Sequence, residues 1–286
     1  LLPDMGKAIS RLQVALDTNE TIGVLGDFDT DGLSGTAVVM TALQSLGLNV
    51  VPYIPHRVNE GHGVNETAVH EFANAGASVM ITVDCGTSSE PEVNLAASLG
   101  IDTIVTDHHT LPANPPKAVA MVNPQSDDSR YPFTHLTGAG LAYKLIEALW
   151  QTLGRERPEH LLELAALGTV SDVAPLVGEN RYFVTEGLRR LNSTDHPGLS
   201  ALMDQAKITL GSIDTRDLSF GIIPRINAAG RMDDALVSLE LLTAQTKEVA
   251  GPIAEIIDAQ NQTRRKISSE GIQNAKDQIA AEYNGH

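Results

Sequence analysis

The chain has 286 residues, of which 42% are hydrophobic, and it carries a formal net charge of −16. This acidic balance disfavours a broad nucleic-acid-binding surface, which is normally basic, so any contact with nucleic acid would need a local basic groove. The single cysteine, Cys85, excludes an intramolecular disulfide and indicates a reducing compartment, the cytoplasm. No apolar run approaches the ~18 residues that span a bilayer, so no membrane partner is expected.

Short apolar runs alternate with helical patterns through the first half of the chain. The predicted strands are 21–25, 50–54, 78–83, 102–105 and 118–122. A helical pattern precedes them from Met5 to Leu16, and the helices predicted between them are 33–46, 65–75 and 89–99. Continuous apolar strands separated by helices predict an α/β fold, with a parallel sheet flanked by helices on both faces.

The pattern becomes helical after Pro124. The predicted helices are 138–152, 159–168, 180–192, 197–206 and a long exposed helix from 247 onward. We therefore expect an α/β core with the functional site in 1–130 and the helical part of the same catalytic domain in 131–245. Residues 246–286 would form a linker helix toward a second domain that lies outside the chain.

The clearest chemical signal is the segment Gly26–Gly32, which contains Asp27, Asp29 and Asp31 directly after a predicted strand. Carboxylates this close repel one another and raise one another's pKa unless a cation neutralises them. Divalent metals such as Mg²⁺, Ca²⁺ and Mn²⁺ prefer such oxygen ligands. The segment therefore predicts a metal site.

Two further predicted strands also end in acidic residues. Asp84 follows 78–83, and Asp107, His108 and His109 follow 102–105. In parallel sheets, ligands bind at the carboxyl ends of the strands. The shared position predicts one composite site for metal-dependent phosphoryl transfer.

Three other interpretations of the acidic segment explain fewer features of the sequence. A calcium loop of the EF-hand type requires Glu at its twelfth position, which is Val38 when counted from Asp27. Phosphatases with an Asp nucleophile usually have Thr or Val where this chain has Leu33, and they do not explain the paired histidines. A solvated acidic turn would not require the other two strand ends.

These motifs resemble those of the DHH phosphoesterases, and within them the RecJ-type single-strand-specific 5′→3′ exonucleases. The four family motifs correspond to Gly26–Gly32, Val83–Gly86, Asp107–His109 and Gly168–Leu176. The RecJ branch adds segments like Pro55–Arg57, Glu60–Gly63 and Pro224–Met232. The chain departs from that branch in two respects. His62 occupies a position that is usually aromatic, and no motif of the DHH-associated domain follows residue 245.

The resemblance implies two divalent cations, with Mn²⁺ preferred and Mg²⁺ possible. The implied ligands are Asp27, Asp29, Asp31, Asp84, His108 and Asp172. Asp84 would bridge the two metals, and His108 and Asp172 would complete the second one. His109 would face the scissile phosphate, and Asp107 would orient a ligating histidine.

Basic and amide side chains of the branch-specific segments are candidate substrate contacts. Arg57, Arg225 and Arg231 could clamp phosphates, because guanidinium groups match phosphate oxygens in a two-pronged geometry. Structural ion pairs are the alternative for these arginines. Asn227 could either touch substrate or cap a turn.

The resemblance implies a hydrolase that releases 5′-mononucleotides from single-stranded DNA during repair and recombination, with a single-strand-binding protein as a possible partner. One alternative is a DHH phosphodiesterase for short oligonucleotides or cyclic dinucleotides. A second alternative is an inactive replication scaffold. Such scaffolds lose metal ligands, whereas this chain has every acid and histidine of the motifs.

Overall fold

The computed structural model describes residues 2–127 and 129–282. Its centre is a five-stranded, fully parallel sheet in the order β2-β1-β3-β4-β5. The strands are β1 (Thr21–Gly26), β2 (Val50–Tyr53), β3 (Ala77–Val83), β4 (Asp102–Thr106) and β5 (Ala120–Val122). All five lie where the sequence predicts them, and the predicted fold class is confirmed.

Helices cover both faces of the sheet. In the first half they are α1 (Met5–Thr18), α2 (Thr30–Ser45), α3 (Glu66–Asn74) and α4 (Glu90–Ser98). The larger buried cluster joins α1 and α2 to the helices of the second half, whereas a smaller cluster lies under α3 and α4. The larger cluster thus draws on both 1–130 and 131–245, and the proposed division of the chain into three parts stays a prediction.

The second half is almost entirely helical. Its α-helices are α5 (Gly138–Thr152), α6 (Leu162–Ser171), α7 (Gly178–Leu191), α8 (Pro197–Ala206), α9 (Thr215–Asp217), α10 (Ile223–Met232), α11 (Leu236–Leu242) and α12 (Lys247–Glu282). A π-helical turn, Leu218–Ile222, precedes α10. The sequence predicted no helix between 207 and 246. No helix in the described part of the chain is long and apolar enough to cross a membrane.

The strand order places a topological switch beside β1, which has β2 on one side and β3 on the other. Three acids form a row along the carboxyl edge at this switch. The backbone N–H of Asp27 donates to the carbonyl oxygen of Val83, the last residue of β3, at 3.2 Å. The N–H of Asp84 donates to the carbonyl oxygen of Thr106, the last residue of β4, at 3.0 Å. The N–H of Asp107 donates to the last residue of β5 at 3.3 Å. Crevices at such switch points are where open α/β sheets bind ligands.

Helix α2 begins three residues earlier than the predicted 33, and the reason is a side-chain cap. The Asp29 carboxylate accepts hydrogen bonds from the backbone N–H groups of Asp31 and Gly32 at 2.9 and 3.2 Å. This is the usual geometry of an acidic N-cap. As a result, Asp31 lies in the first turn of a helix and points into the interior, while Asp29 remains at the surface of the edge.

Candidate metal centre

A cavity of about 490 Å³ opens at the carboxyl edge of β1, β3 and β4. Its titratable lining residues are Asp27, Asp29, His62, Asp84, Cys85, Glu92, Asp107, His108, His109 and Asp172. Most of the residues predicted from three separate strand ends therefore meet at one place. Asp172, which ends α6, closes the cavity from the helical half of the chain.

Three groups of side chains each bring potential ligand atoms within 4.8 Å of one another. The groups are Asp84 with His108 and His109, Asp31 with His108 and Asp172, and Asp27 with Asp29 and Asp84. Asp84 belongs to two of these groups, and so does His108. Oxygen ligands with one or two imidazoles suit Mn²⁺ and related divalent ions.

The surroundings of Asp84 fit a metal ligand. It is 6% exposed, and its Oδ1 atom forms no hydrogen bond of good geometry, although Nε2 of His108 lies within ion-pair distance at 3.0 Å. Burial and the neighbouring Asp31 raise the pKa of the Asp84 carboxyl well above its usual value. Its φ of 62° is in the left-handed region, which side chains other than glycine rarely adopt. A cation would bind Oδ1 of Asp84 and would also neutralise the repelling carboxylates around it. The residues present therefore fit a divalent metal.

Asp31 connects the centre to the helical half. Its carboxylate is buried and accepts hydrogen bonds from the N–H groups of Gly138 at 2.6 Å and Ala139 at 2.9 Å, at the start of α5. Burial raises the pKa of Asp31 to about 7, although these hydrogen bonds work in the opposite direction. An acid at a helix N-terminus is also favoured by the helix dipole.

Two glycines let the helices approach these carboxylates. A Cβ atom on Gly138 would lie 2.4 Å from the Cβ atom of Asp84. A Cβ atom on Gly168, in α6, would lie 2.5 Å from Oδ1 of Asp31 and 2.4 Å from Cβ of Ala139. Real Cβ contacts are essentially never shorter than 3.0 Å. Helices α5 and α6 therefore pack directly on the side chains of Asp84 and Asp31, two of the predicted ligands.

The two histidines of the third motif have opposite environments. The His108 side chain is 16% exposed, and burial lowers its pKa, which favours the neutral ligating form. The His109 side chain is 63% exposed, and its Nδ1 lies 2.7 Å from Oδ1 of Asp107. This hydrogen bond raises the pKa of His109, which favours the charged form.

The Asp107 carboxylate forms hydrogen bonds with His109 and with the loop after β3. Its Oδ2 accepts a hydrogen bond from the Thr87 N–H at 2.9 Å. Burial would raise the pKa of Asp107, but the hydrogen bonds from His109 and Thr87 outweigh that effect and lower it. Asp107 thus contacts His109, the histidine predicted to face the phosphate, and its role in orienting a ligating histidine stays a prediction.

Three arginines, Arg57, Arg231 and Arg264, lie near one another. The guanidinium carbon of Arg57 lies 4.7 Å from the centre of the Phe28 ring. Burial lowers the pKa of Arg231, and so do the nearby charges of Arg57 and Arg264. None of the three has a carboxylate within ion-pair distance among residues 2–127 and 129–282. The sequence did not indicate Arg264, because it lies inside α12 and outside every motif.

The other two predicted substrate contacts have structural partners. Nε of Arg225 lies 2.8 Å from Oδ1 of Asp258 in α12, and its Nη1 donates to the Gly221 carbonyl at 2.7 Å. Oδ1 of Asn227 accepts hydrogen bonds from both the N–H and the hydroxyl of Thr30 at 2.9 Å. For Arg225 the structure favours the structural alternative, an ion pair. For Asn227 it favours a cap on α2.

His62, the departure from the aromatic pattern, is also at the cavity. Its Nδ1 lies 3.1 Å from Oδ1 of Asp27, and its ring centre lies 4.2 Å from that of Phe28. The side chain is 71% exposed. It presents a ring at the cavity mouth, as an aromatic residue would.

Comparison with known proteins decides the family. The model of the DHH family, N-terminal domain, matches residues 21–169. The chain belongs to the DHH family. The resemblance inferred from the four motifs is confirmed, and the matched range contains every predicted metal ligand except Asp172.

Within the DHH family the chain is similar to RecJ proteins. It is 39% identical over 265 residues to the single-stranded-DNA-specific exonuclease RecJ of Bacillus subtilis (strain 168), covering 93% of this chain and 33% of that protein. A crystal structure of exonuclease RecJ bound to manganese has a TM-score of 0.89 and 36% identity, covering 96% of this chain and 69% of the other. A structure of RecJ with Mg²⁺ from Thermus thermophilus has a TM-score of 0.72 and 30% identity, covering 96% and 36%. The chain spans a third to a half of the length of the curated RecJ proteins it matches first.

Proposed function

We propose that this chain is the catalytic core of a metal-dependent exonuclease that degrades single-stranded DNA in the 5′-to-3′ direction and releases 5′-mononucleotides. The observation that carries the proposal is the buried Asp84 carboxylate, which belongs to two potential ligand groups at the 490 Å³ cavity and lies 3.0 Å from Nε2 of His108. Several buried carboxylates this close together repel one another unless a cation neutralises them, so this cluster points to a cation. Similarity to RecJ proteins supports the choice of reaction.

The proposed cofactors are two divalent cations, with Mn²⁺ preferred and Mg²⁺ possible. The residues that would hold them are Asp27, Asp29, Asp31, Asp84, His108 and Asp172. Such ions activate water and stabilise the negative charge that develops on a phosphate undergoing displacement. Manganese and magnesium are each bound by a solved RecJ relative, which supports both candidates.

This chain's own residues would bind and orient the phosphate. His109, held by Asp107 and favoured in its charged form, would donate a hydrogen bond to a phosphate oxygen. Arg57, Arg231 and Arg264 would bind neighbouring phosphates, because none of them has a carboxylate within ion-pair distance among the described residues. The acidic remainder of the chain would repel the strand elsewhere and so limit binding to this side of the cavity.

The decisive experiment is cleavage of single-stranded DNA labelled at one end, with Mn²⁺ and the wild-type chain. A 5′ label should be released at once as a labelled mononucleotide, whereas a strand labelled at its 3′ end should shorten progressively. Cleavage of RNA two to five nucleotides long with no action on long DNA would instead favour the short-oligonucleotide alternative. No cleavage of any of these substrates with Mn²⁺ or Mg²⁺ would refute the proposal.

A salt series tests the proposed phosphate contacts separately. Each phosphate contact on a single strand contributes about 0.7 to the slope of log affinity against log salt. Three arginine contacts therefore predict a slope of roughly −2. A much steeper slope would require a basic surface that the three arginines do not provide. A cytoplasmic location, a role in DNA repair and a single-strand-binding protein as partner stay predictions from the family resemblance.

A further inference from the structure

The segment between β2 and α3, residues 54–65, brings two side chains to the edge of the metal cavity. Arg57 lies over the Phe28 ring, and His62 lies against both Phe28 and Asp27. Residues 57–60 are all exposed, so little packing fixes the backbone between these two side chains. Something else has to hold this loop if Arg57 is to meet a phosphate in a defined geometry.

The Glu60 carboxylate closes the loop on itself. One oxygen accepts a hydrogen bond from the Tyr53 hydroxyl at 2.5 Å, and the other accepts one from the His56 N–H at 2.6 Å. The Glu60 N–H in turn donates to the His56 carbonyl at 2.9 Å. Nδ1 of His56 accepts hydrogen bonds from the N–H groups of Val58 and Asn59 at 3.3 and 3.2 Å. Hydrogen bonds to a charged carboxylate are the stronger kind.

Tyr53 connects this loop to the core of the protein. It is the last residue of β2, and its ring makes an edge-on contact with Phe72, at 6.2 Å between ring centres. Phe72 belongs to α3 and is fully buried. The Tyr53 hydroxyl therefore has a fixed position, to which an otherwise exposed loop can be attached.

Glu60 does not neutralise the arginine beside it. It is three residues from Arg57, yet both of its oxygens are bonded to Tyr53 and to the backbone. No ion pair joins Glu60 to Arg57 within the described residues. The arrangement orders the loop and leaves the Arg57 charge available for a phosphate.

We propose that Tyr53 and Glu60 are positioning residues, whose hydrogen bond holds the 54–65 loop so that Arg57 and His62 present a preformed binding surface to the substrate strand. The proposal rests on the proposed exonuclease function. Ordering the loop before binding removes an entropic cost from association, so the effect should appear in substrate affinity rather than in the chemical step.

The first test is Tyr53→Phe, which removes the hydroxyl and keeps the ring on Phe72. We expect KM for 5′-phosphorylated single-stranded DNA to rise about three- to tenfold, as for the loss of one hydrogen bond, with kcat within about twofold. The matched control is Tyr131→Phe, because the Tyr131 hydroxyl also donates to a carboxylate, that of Glu179, at 2.7 to 2.8 Å. Neither Tyr131 nor Glu179 lines the metal cavity, so the control should leave KM unchanged. Equal KM values in the two variants would overturn the proposal.

The second test asks whether Tyr53 acts through the loop side chains. In a variant that already carries Arg57→Ala and His62→Ala, Tyr53→Phe should change KM by less than about twofold, because coupled residues are not additive. A full additional three- to tenfold rise in that variant would show an effect independent of Arg57 and His62 and would overturn the proposal. Glu60→Gln keeps only one acceptor oxygen and should lie between the wild type and Glu60→Ala in KM.

Amide hydrogen exchange provides a readout without catalysis. Tyr53→Phe should speed exchange in the peptide that contains Val58 and Asn59, whereas Tyr131→Phe should not. Unchanged exchange in Tyr53→Phe would overturn the proposal whatever the kinetics. If the wild-type chain cleaves no single-stranded DNA, the proposed function fails, and the exchange result still decides separately whether Tyr53 orders the loop.

Discussion

Replacement of Gly168 by Ala should damage both the fold and the metal centre. The new Cβ atom would lie 2.4 Å from Cβ of Ala139 and 2.5 Å from Oδ1 of Asp31. Neither atom can move freely, because Ala139 is in the first turn of α5 and its N–H holds the Asp31 carboxylate. Overpacking of this kind costs about 1–3 kcal/mol, and it would push α6, with Asp172 at its end, away from the cavity.

The control is Gly271→Ala in the exposed part of α12. Both glycines lie inside helices, so both substitutions gain about 0.5–1 kcal/mol of helix propensity. A Cβ atom on Gly271 would meet nothing within 4 Å, so that variant should be slightly more stable than the wild type. The difference between the two variants therefore isolates the clash and should be about 1–3 kcal/mol in the free energy of unfolding. Urea unfolding in chelator measures it, and calorimetric Mn²⁺ titration should show weaker binding by Gly168→Ala alone. Equal stability and equal Mn²⁺ affinity in the two variants would refute the close packing of α6 on Asp31.

Four further substitutions test the site and one half-buried histidine, His196. Asp84→Ala should abolish Mn²⁺-dependent hydrolysis and leave the circular dichroism spectrum unchanged, because it removes a crowded anion rather than a packing group. His108→Ala should lose Mn²⁺ binding by calorimetry, whereas His109→Ala should keep the metal and lose turnover. Burial lowers the pKa of His196, whose Nδ1 accepts the Leu199 N–H, so the folded protein binds fewer protons than the unfolded chain. Stability should therefore fall as the pH drops below about 6.5, and His196→Asn, which keeps a capping side chain, should lose less stability between about pH 7.5 and 5.5.

The sequence predicted the sheet and the metal-binding edge because both depend on local patterns. Short apolar runs that end in acids specify parallel strands and the side at which their carboxylates meet. The sequence did not predict α10 and α11, because these helices are only 10 and 7 residues long and give short patterns. It also could not separate the roles of arginines of one motif. Asp258, which lies in α12 and is distant in sequence, forms an ion pair with Arg225 but not with Arg231. Arg264 became a candidate only through its nearness to Arg231 in space.

The way the ligands are distributed along the chain bears on the order of folding. Asp27 and Asp84 meet only after β1 has paired with β3, and Asp172 joins them only after α6 has packed on α2. Contacts between such distant segments form slowly, since each requires the closure of a long loop. The repulsion among the acids therefore arises late, when the native topology is nearly complete. A cation that relieves this repulsion should mainly slow unfolding and leave the folding rate almost unchanged. The metal would therefore stabilise the folded protein kinetically rather than help it to fold.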